Sequence, residues 1–192
     1  MFLHPNFMFF VNLQYRKIKM MKTLNVIFAF VLCNLFAFTG FAQSTECKFE
    51  INKTDPATNV PVKKIKTKLT GSDVFYVIIN RNDTAYVLLL NFWISGTLRE
   101  TIDKNDKVSI FLSGGETLTL YASSGSKPIP HYGDQAWTEY LISYPIRSED
   151  LGNMIELKPL KISLKAGSEP FNRDLNKNDV DRIKGIIRCI MK

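Results

Sequence analysis

Two apolar runs, at residues 74–79 and 85–94, dominate the pattern of hydrophobic and polar positions along the chain. In each run both alternate faces carry mainly aliphatic or aromatic side chains, whereas a strand with one solvated face alternates apolar with polar residues. The intervening residues 80–84 have turn chemistry, and the runs are rich in β-branched and aromatic residues. The pattern therefore predicts a hairpin at the centre of a sheet, with both of its faces covered.

Alternating patterns predict further strands at residues 46–51, 62–69 and 137–146. A last strand is predicted at 160–165, with Leu160, Ile162 and Leu164 on one face. In the strand at 62–69, lysines occupy one face, which favours an outer or edge strand. Residues 122–136 contain two prolines and two glycines and are predicted to be irregular. A single helical turn is predicted to begin at Ser148, which would cap it, with Glu149 and Asp150 near its positive end.

A second hairpin is predicted around Gly114 and Gly115. A two-residue turn there would place the aliphatic residues of the two strands on opposite faces, because a shift of one residue reverses every side chain. A three-residue loop at 113–115 pairs Leu112 with Glu116 and puts all of these aliphatic residues on one face. We therefore expect the three-residue form, with Gly115 at a positive φ.

The chain ends in a predicted helix at about residues 179–191. Its apolar residues repeat at helical spacing on one face, and its basic residues lie outside that face. Asn178 is the predicted N-cap. The predicted fold class is mainly β: an antiparallel β-sandwich or barrel-like sheet with one C-terminal α-helix packed on it.

The first 42 residues are set aside from this fold. Residues 1–20 are interpreted as sequence upstream of the true start, and residues 21–42 as a signal peptide. Lys22 is followed by an apolar run of about 15 residues and by Gly40 and Ala42, small residues suited to a cleavage site. No transmembrane segment is expected after cleavage, because a spanning helix needs about 20 apolar residues. Residues 43–192 are predicted to form a single β-rich domain that is periplasmic or secreted.

The predicted leader also accounts for much of the positive charge. The whole sequence has 25 basic and 18 acidic residues. Residues 1–42 hold four of the basic residues and no acidic one, which leaves a net charge of +3 on the rest. So small a charge, spread over one domain, gives no reason to expect a nucleic-acid partner.

Two cysteines remain once Cys33 leaves with the predicted signal peptide. Export implies an oxidising compartment, where two remaining thiols pair more often than they stay free. We therefore predict a disulfide between Cys47 and Cys189. It would close a loop of about 140 residues, for which loop entropy gives a stabilisation of roughly 4–5 kcal/mol.

A further pattern combines a cysteine soon after the cleavage site, the segments TNVPVKKIKT, DKVSIFLSGGETLTL and YPIRSEDL, and a basic C-terminal helix ending close to a cysteine. In these features the chain resembles an uncharacterised family of small secreted or periplasmic proteins of Gram-negative bacteria. The resemblance covers most of residues 43–192 and implies a β-rich exported domain. The family has no assigned activity, so the resemblance implies no catalytic residue.

The predicted domain has one histidine, His131, which limits the chemistry of any site. One histidine excludes a multi-histidine metal centre and leaves one candidate base for a nucleophilic triad. The sequence has neither a Gly-x-Ser-x-Gly elbow nor a phosphate-binding glycine loop. The predicted disulfide leaves no free thiol nucleophile, and no cofactor is expected.

Asp174, Asn176 and Asn178 have the 1-3-5 spacing of a calcium-binding loop. The sixth and twelfth positions are then Asp179 and Gly185, where such a loop needs glycine and glutamate. A polar cluster that caps the C-terminal helix is therefore favoured, and calcium is kept as the alternative.

The best binding-site candidate is the region of His131, Tyr132, Asp134 and Trp137. Aromatic rings beside polar side chains suit sugars or peptides. The same aromatic residues would also pin a long loop onto the sheet, and this second interpretation is favoured.

Together these features favour an exported domain without enzymatic activity that acts by binding or as a structural accessory. The expected partner is another envelope protein, a carbohydrate or a peptide. Two alternatives stay open. One is a periplasmic carrier of a lipid or other hydrophobic ligand, whose cavity the central hairpin would line. The other is a hydrolase that uses carboxylates such as Asp134 and Glu139.

Overall fold

The computed structural model describes residues 47–71, 74–97, 100–166 and 169–192, and the predicted leader lies outside them. In these residues the chain forms ten strands and two helices. The strands are β1 (Phe49–Thr54), β2 (Pro61–Lys68), β3 (Phe75–Asn82), β4 (Ala85–Ser95), β5 (Lys107–Leu112), β6 (Thr117–Tyr121), β7 (Ile129–His131), β8 (Trp137–Ile146), β9 (Pro159–Ala166) and β10 (Glu169–Asp174). The helices are α1 (Ser148–Glu156) and α2 (Lys177–Met191).

The larger of the two sheets contains the predicted hairpin at its centre. Its strand order is β1-β2-β3-β4-β8-β7, and neighbouring strands run antiparallel. β3 and β4 pair as far as Asn82 and Ala85, so the chain reverses at Asp83, whose φ is 56°. Aspartate tolerates this left-handed backbone better than most residues do. The prediction of a central hairpin is confirmed.

β2 lies one place inside this sheet and not at its edge, since it pairs with β1 on one side and β3 on the other. Its lysine face is solvated as expected: Lys66 and Lys68 are exposed, whereas Ile65 is buried. The edge prediction was wrong because lysines mark a solvated face, which a paired strand also has.

The smaller sheet has the order β10-β9-β5-β6, and its β5–β6 hairpin has the predicted register. Val108 pairs with Leu120, and the Leu112 N–H donates to the Glu116 carbonyl at 2.8 Å. The loop is therefore the three-residue form. Gly115 has a φ of 88°, in the left-handed region that favours glycine.

Two strands were not predicted, and each contains a proline. β7 falls in the stretch expected to be irregular, and β10 follows β9, which was expected to be the last strand. Pro130 and Pro170 cannot donate a ladder hydrogen bond, so both strands lie at sheet edges. A short strand with a proline lacks the alternation from which the longer strands were predicted.

Leu160 was expected on the same face as Ile162 and Leu164, but the structure places it elsewhere. The register between β5 and β9 shifts after Phe111, which pairs with Lys161, because the next pair joins Leu112 to Pro159. This bulge skips Leu160, which is 48% exposed.

The described strands form two open sheets that pack face to face, so the predicted sandwich is the form adopted. Phe92 on the inner face of β4 is 0% exposed and stacks against Phe75, Phe171 and Tyr140. The ring centroids lie 4.6–5.7 Å from that of Phe92. These rings fill the space between the sheets, and their burial is the main stabilising contribution of this region.

The outer face of the hairpin is not buried to the same degree. Val87, Leu89 and Trp93 alternate with the inner residues of β4 and are only partly buried. Ile78 of β3, on the same outer face, is buried. The expectation that both faces of the hairpin are covered therefore holds for the inner face and only in part for the outer face.

Helix α2 packs its apolar face on the inner side of the larger sheet, as predicted. It begins two residues earlier than expected, because Asn176 and not Asn178 is its N-cap. The Asn176 side chain accepts a hydrogen bond from the Asp179 N–H at 3.0 Å, and the Asp179 carboxylate accepts one from the Asn176 N–H. Asp179 is fully buried and also accepts from the N–H and hydroxyl of Thr70.

Helix α1 is longer than the predicted single turn. It runs over Ser148–Glu156, and its N-cap is Arg147, not Ser148. The acidic residues expected near its start, Glu149 and Asp150, do lie in the first turn, where the helix dipole favours them. Leu151 and Met154 are buried, and this tertiary packing continues the helix beyond one turn.

The predicted disulfide between Cys47 and Cys189 is present, with the two Cα atoms 5.6 Å apart. It ties helix α2 to the residues just before β1 across a sequence separation of 142. Among the described residues, neither helix has the length and hydrophobicity needed to cross a membrane.

Candidate functional site

A group of polar and aromatic side chains lies on the outer face of the larger sheet, where β4, β8 and β7 are neighbours. Strand register brings the group together: Trp93 pairs with Glu139, and His131 pairs with Trp137. Asn91 precedes Trp93 by two residues and therefore lies on the same face. We call Asn91, Trp93, His131, Trp137 and Glu139 the His131 cluster.

The His131 ring lies parallel to the Trp93 ring, with centroids 4.8 Å apart and an interplanar angle of 12°. The His131 Nε2 atom is 2.8 Å from Glu139 Oε2. Asn91 Nδ2 donates to Glu139 Oε1 at 2.6 Å and to the Tyr140 carbonyl at 3.4 Å. An ionised carboxylate only accepts hydrogen bonds, so Nε2 donates to Glu139, and Nδ1 is then the acceptor in the neutral form of the ring.

The stacking on Trp93 and the hydrogen bond to Glu139 fix the His131 ring without burying it. The side chains of His131 and Glu139 are 40% and 24% exposed. Leu141 and Ile129, on the same face, are 46% and 51% exposed and flank the cluster with apolar surface. The arrangement therefore offers a ligand a fixed ring, hydrogen-bond acceptors and apolar contacts on one surface.

The structure brings together two of the four sequence-predicted site residues. His131 and Trp137 are paired across β7 and β8. Tyr132 and Asp134 lie in the connection 132–136 and are exposed, Tyr132 by 80%. They follow the cluster in sequence but do not belong to the hydrogen-bond network of Asn91, Glu139 and His131.

Two residues of the cluster, Asn91 and Trp93, were not among the predicted site residues. Trp93 falls in the apolar run 85–94, and that pattern gave no indication of which residues it would contact. Asn91 is the one polar residue inside the run 85–94. This polar residue in the middle of an apolar run was the one signal in the sequence that this face of the strand contacts polar groups.

The hydrolase alternative uses the carboxylates of Asp134 and Glu139, which lie in different surroundings. Glu139 accepts hydrogen bonds at both oxygens, from His131 and from Asn91. Asp134 lies in the exposed connection 132–136. Paired-carboxylate hydrolysis needs two carboxyl groups facing one substrate bond. Glu139 is held by its neighbours on the sheet face, whereas Asp134 lies in the connection outside that hydrogen-bond network.

The calcium alternative concerns residues at the junction of β10 and α2. Asp174 ends β10, Asn176 caps α2 and Asn178 lies in its first turn. The Asn176 side-chain oxygen already accepts the Asp179 N–H. Within the part of the chain that the structure describes, no group of three or more His, Cys, Asp or Glu residues is placed to hold a metal.

Comparison with known proteins does not assign the chain to a family. A scan against protein-family models, a search of curated proteins and a search of solved structures each gave no match. The resemblance to small secreted proteins of Gram-negative bacteria therefore stays a prediction from the sequence motifs.

Proposed function

We propose that this chain is an exported, non-enzymatic β-sandwich domain that binds a neutral saccharide through the His131 cluster. One observation carries the proposal: the hydrogen-bonded series Asn91–Glu139–His131 ends in a ring stacked on Trp93, on a partly exposed sheet face. Sugar rings present C–H groups that pack on aromatic faces and hydroxyls that donate to carboxylates. The cluster offers both kinds of contact at neighbouring positions.

Glu139 keeps capacity for such a ligand. A carboxylate has about four lone-pair sites, and His131 and Asn91 occupy one on each oxygen. The remaining sites are accessible because the side chain is 24% exposed. His131 Nδ1 adds an acceptor, and the outer ring face of His131 and the Trp137 side chain supply surfaces on which a sugar ring can pack.

A peptide added as an extra strand fits this edge less well. β7, the strand that carries His131, is an edge strand of three residues, and its central residue is Pro130. Proline has no N–H to offer an added strand and blunts a sheet edge. This observation favours a ligand that lies on the face of the sheet.

The carrier alternative would need space along the inner face of the central hairpin. That face is occupied by packed side chains: Phe92 contacts Phe75, Phe171 and Tyr140, and Leu90 is 0% exposed. Such packing supports binding on the surface of the sandwich over binding inside it.

Export is part of the proposal, and the Cys47–Cys189 disulfide supports it because disulfides persist in oxidising compartments. We expect the N-terminal sequence of protein recovered from a Gram-negative host to begin near residue 43, in the periplasm or the medium. Recovery of the uncleaved chain in the cytoplasm would contradict this part of the proposal.

The binding part is tested by isothermal titration calorimetry with cellohexaose, xylohexaose and maltohexaose. We expect one of these oligosaccharides to bind. Trp137→Ala and His131→Ala should each weaken that affinity by roughly tenfold, the effect of losing one aromatic contact of about 1.4 kcal/mol. Phe111→Ala is the matched control, because Phe111 is an aromatic residue 40% exposed on the smaller sheet.

Absence of binding to all three oligosaccharides would contradict the saccharide assignment. An equal loss in the control would show that the effect is not specific to the cluster. Unchanged affinity in Trp137→Ala and His131→Ala, despite lowered stability, would indicate that the cluster only pins β7 to the sheet.

A further inference from the structure

We propose a second binding site, on the opposite face of the sandwich, that takes an acidic saccharide. A half-open pocket of about 440 Å³ lies on the outer face of the smaller sheet, within the size range of small-molecule sites. Its lining includes Lys107, Ser109, Tyr121, Ser163, Lys165 and Pro170.

Strand register sets these side chains in two rows. Val108 pairs with Leu164 and Ser109 with Ser163, so the same register places Lys107 beside Lys165. Lys107 pairs on its other side with Tyr121, and Lys165 with Pro170. One row across the four strands therefore reads Pro170, Lys165, Lys107 and Tyr121, and the next row contains the two serines.

The two neighbouring lysines indicate an anionic group. Like charges on directly opposed residues destabilise a sheet. Among the described residues, neither Lys107 nor Lys165 forms an ion pair with a carboxylate. Asp106 also lines the pocket, with its Oδ2 accepting the Asp103 N–H at 2.8 Å, so two lysine charges face one carboxylate charge there. A carboxylate bound between the two ammonium groups would relieve their repulsion.

The rest of the pocket fits a sugar ring. Ser109 and Ser163 provide two adjacent hydroxyls, each able to donate and accept a hydrogen bond. Tyr121 is 59% exposed, so its ring can form an aromatic wall, and Pro170 forms the opposite wall. A ring that carries both hydroxyls and one carboxylate, such as a uronic acid, matches this set of groups.

The test compares trigalacturonic acid with galactotriose, its neutral counterpart, and with inorganic phosphate, by calorimetry on protein from the whole chain expressed in an exporting host. We expect trigalacturonic acid to bind, and its affinity to fall with ionic strength because the lysines are exposed. The double variant Lys107→Gln, Lys165→Gln should weaken this binding at least about tenfold. Lys53→Gln with Lys192→Gln removes the same charge from exposed positions elsewhere and should leave it unchanged.

Four results would overturn the proposal: no binding of trigalacturonic acid, equal binding of galactotriose, an equal loss in the control double variant, or binding of inorganic phosphate alone. Trp137→Ala separates the two sites. It should leave trigalacturonic acid binding intact, and a loss there would assign the acidic saccharide to the His131 cluster.

Discussion

Phe92 and Trp93 are neighbours in β4, yet they face opposite sides of the larger sheet. Phe92 is 0% exposed and stacks with Phe171 and Tyr140 between the two sheets. Trp93 is partly exposed and stacks with His131 on the outer face. Alternation along one strand therefore separates a side chain that stabilises the fold from one that is available to a ligand.

The two faces also differ in what their polar groups contribute. On the inner face, a polar group without a partner would lower stability by about 1–3 kcal/mol. On the outer face, the Asn91–Glu139–His131 network is partly solvated, and interactions of this kind contribute roughly 0–1 kcal/mol. The outer network therefore contributes little to folding, but it fixes the orientation of the His131 ring.

The largest expected effect separates the two faces directly. Phe92→Ala should lower the free energy of unfolding by about 4 kcal/mol, because it removes buried ring surface and leaves a cavity. Trp93→Ala should lower it by about 1 kcal/mol, because the indole is only partly buried. Urea denaturation of both variants and the wild-type protein measures the difference. Similar losses in the two variants would mean that the outer face is as important to folding as the inner one.

The second effect concerns the helix that covers part of the inner face. Cys47→Ser with Cys189→Ser should lower the free energy of unfolding, because the unfolded chain regains the entropy of a long loop. We expect a loss of about 3 kcal/mol, below the roughly 4–5 kcal/mol from loop entropy, because disulfides typically contribute about 2–4 kcal/mol. Binding at the His131 cluster should persist under conditions where the variant stays folded, since that surface lies on the other face. Thermal unfolding measures the loss, and reduced wild-type protein is the control. Loss of binding by folded, reduced protein would show that the two faces are coupled.

The smallest effect is electrostatic and depends on pH. Arg147 donates two hydrogen bonds to Asp150, and the Arg147 guanidinium lowers the pKa of the Asp150 carboxyl below its usual value. A lowered pKa in the folded state stabilises the protein above the ordinary carboxyl pKa, near 3.8, and this stabilisation disappears as the pH falls further.

Asp150→Asn should therefore lower the free energy of unfolding at neutral pH. The loss should be smaller than that of Phe92→Ala or of the double cysteine variant, because Arg147 is exposed and water screens the ion pair. Thermal unfolding from pH 7 to pH 2 should show the wild-type and variant curves converging below pH 3.8. A gap that stays constant down to pH 2 would show that the Asp150 carboxylate does not act through its charge.

Local patterns predicted the elements whose side chains alternate strongly. The register of the β5–β6 hairpin followed from five aliphatic positions and a glycine pair, because only one loop length puts those positions on one face. The central β3–β4 hairpin and helix α2 were predicted for the same kind of reason. β7, β10 and most of α1 were not, because proline interrupts the two strands and the helix depends on packing around Leu151 and Met154.

By itself, the sequence determined the mainly β fold class, the central hairpin and the pairing of Cys47 with Cys189, since these depend on alternation, turn chemistry and the positions of the cysteines. Only the tertiary structure decided which residues share a surface. Trp93 and Glu139 come from strands far apart in sequence and meet because β4 and β8 are neighbours in a single register. Lys107 and Lys165 are adjacent for the same reason. Pairing between distant strands depends on the summed burial of a whole sheet face, which no short segment of the chain contains.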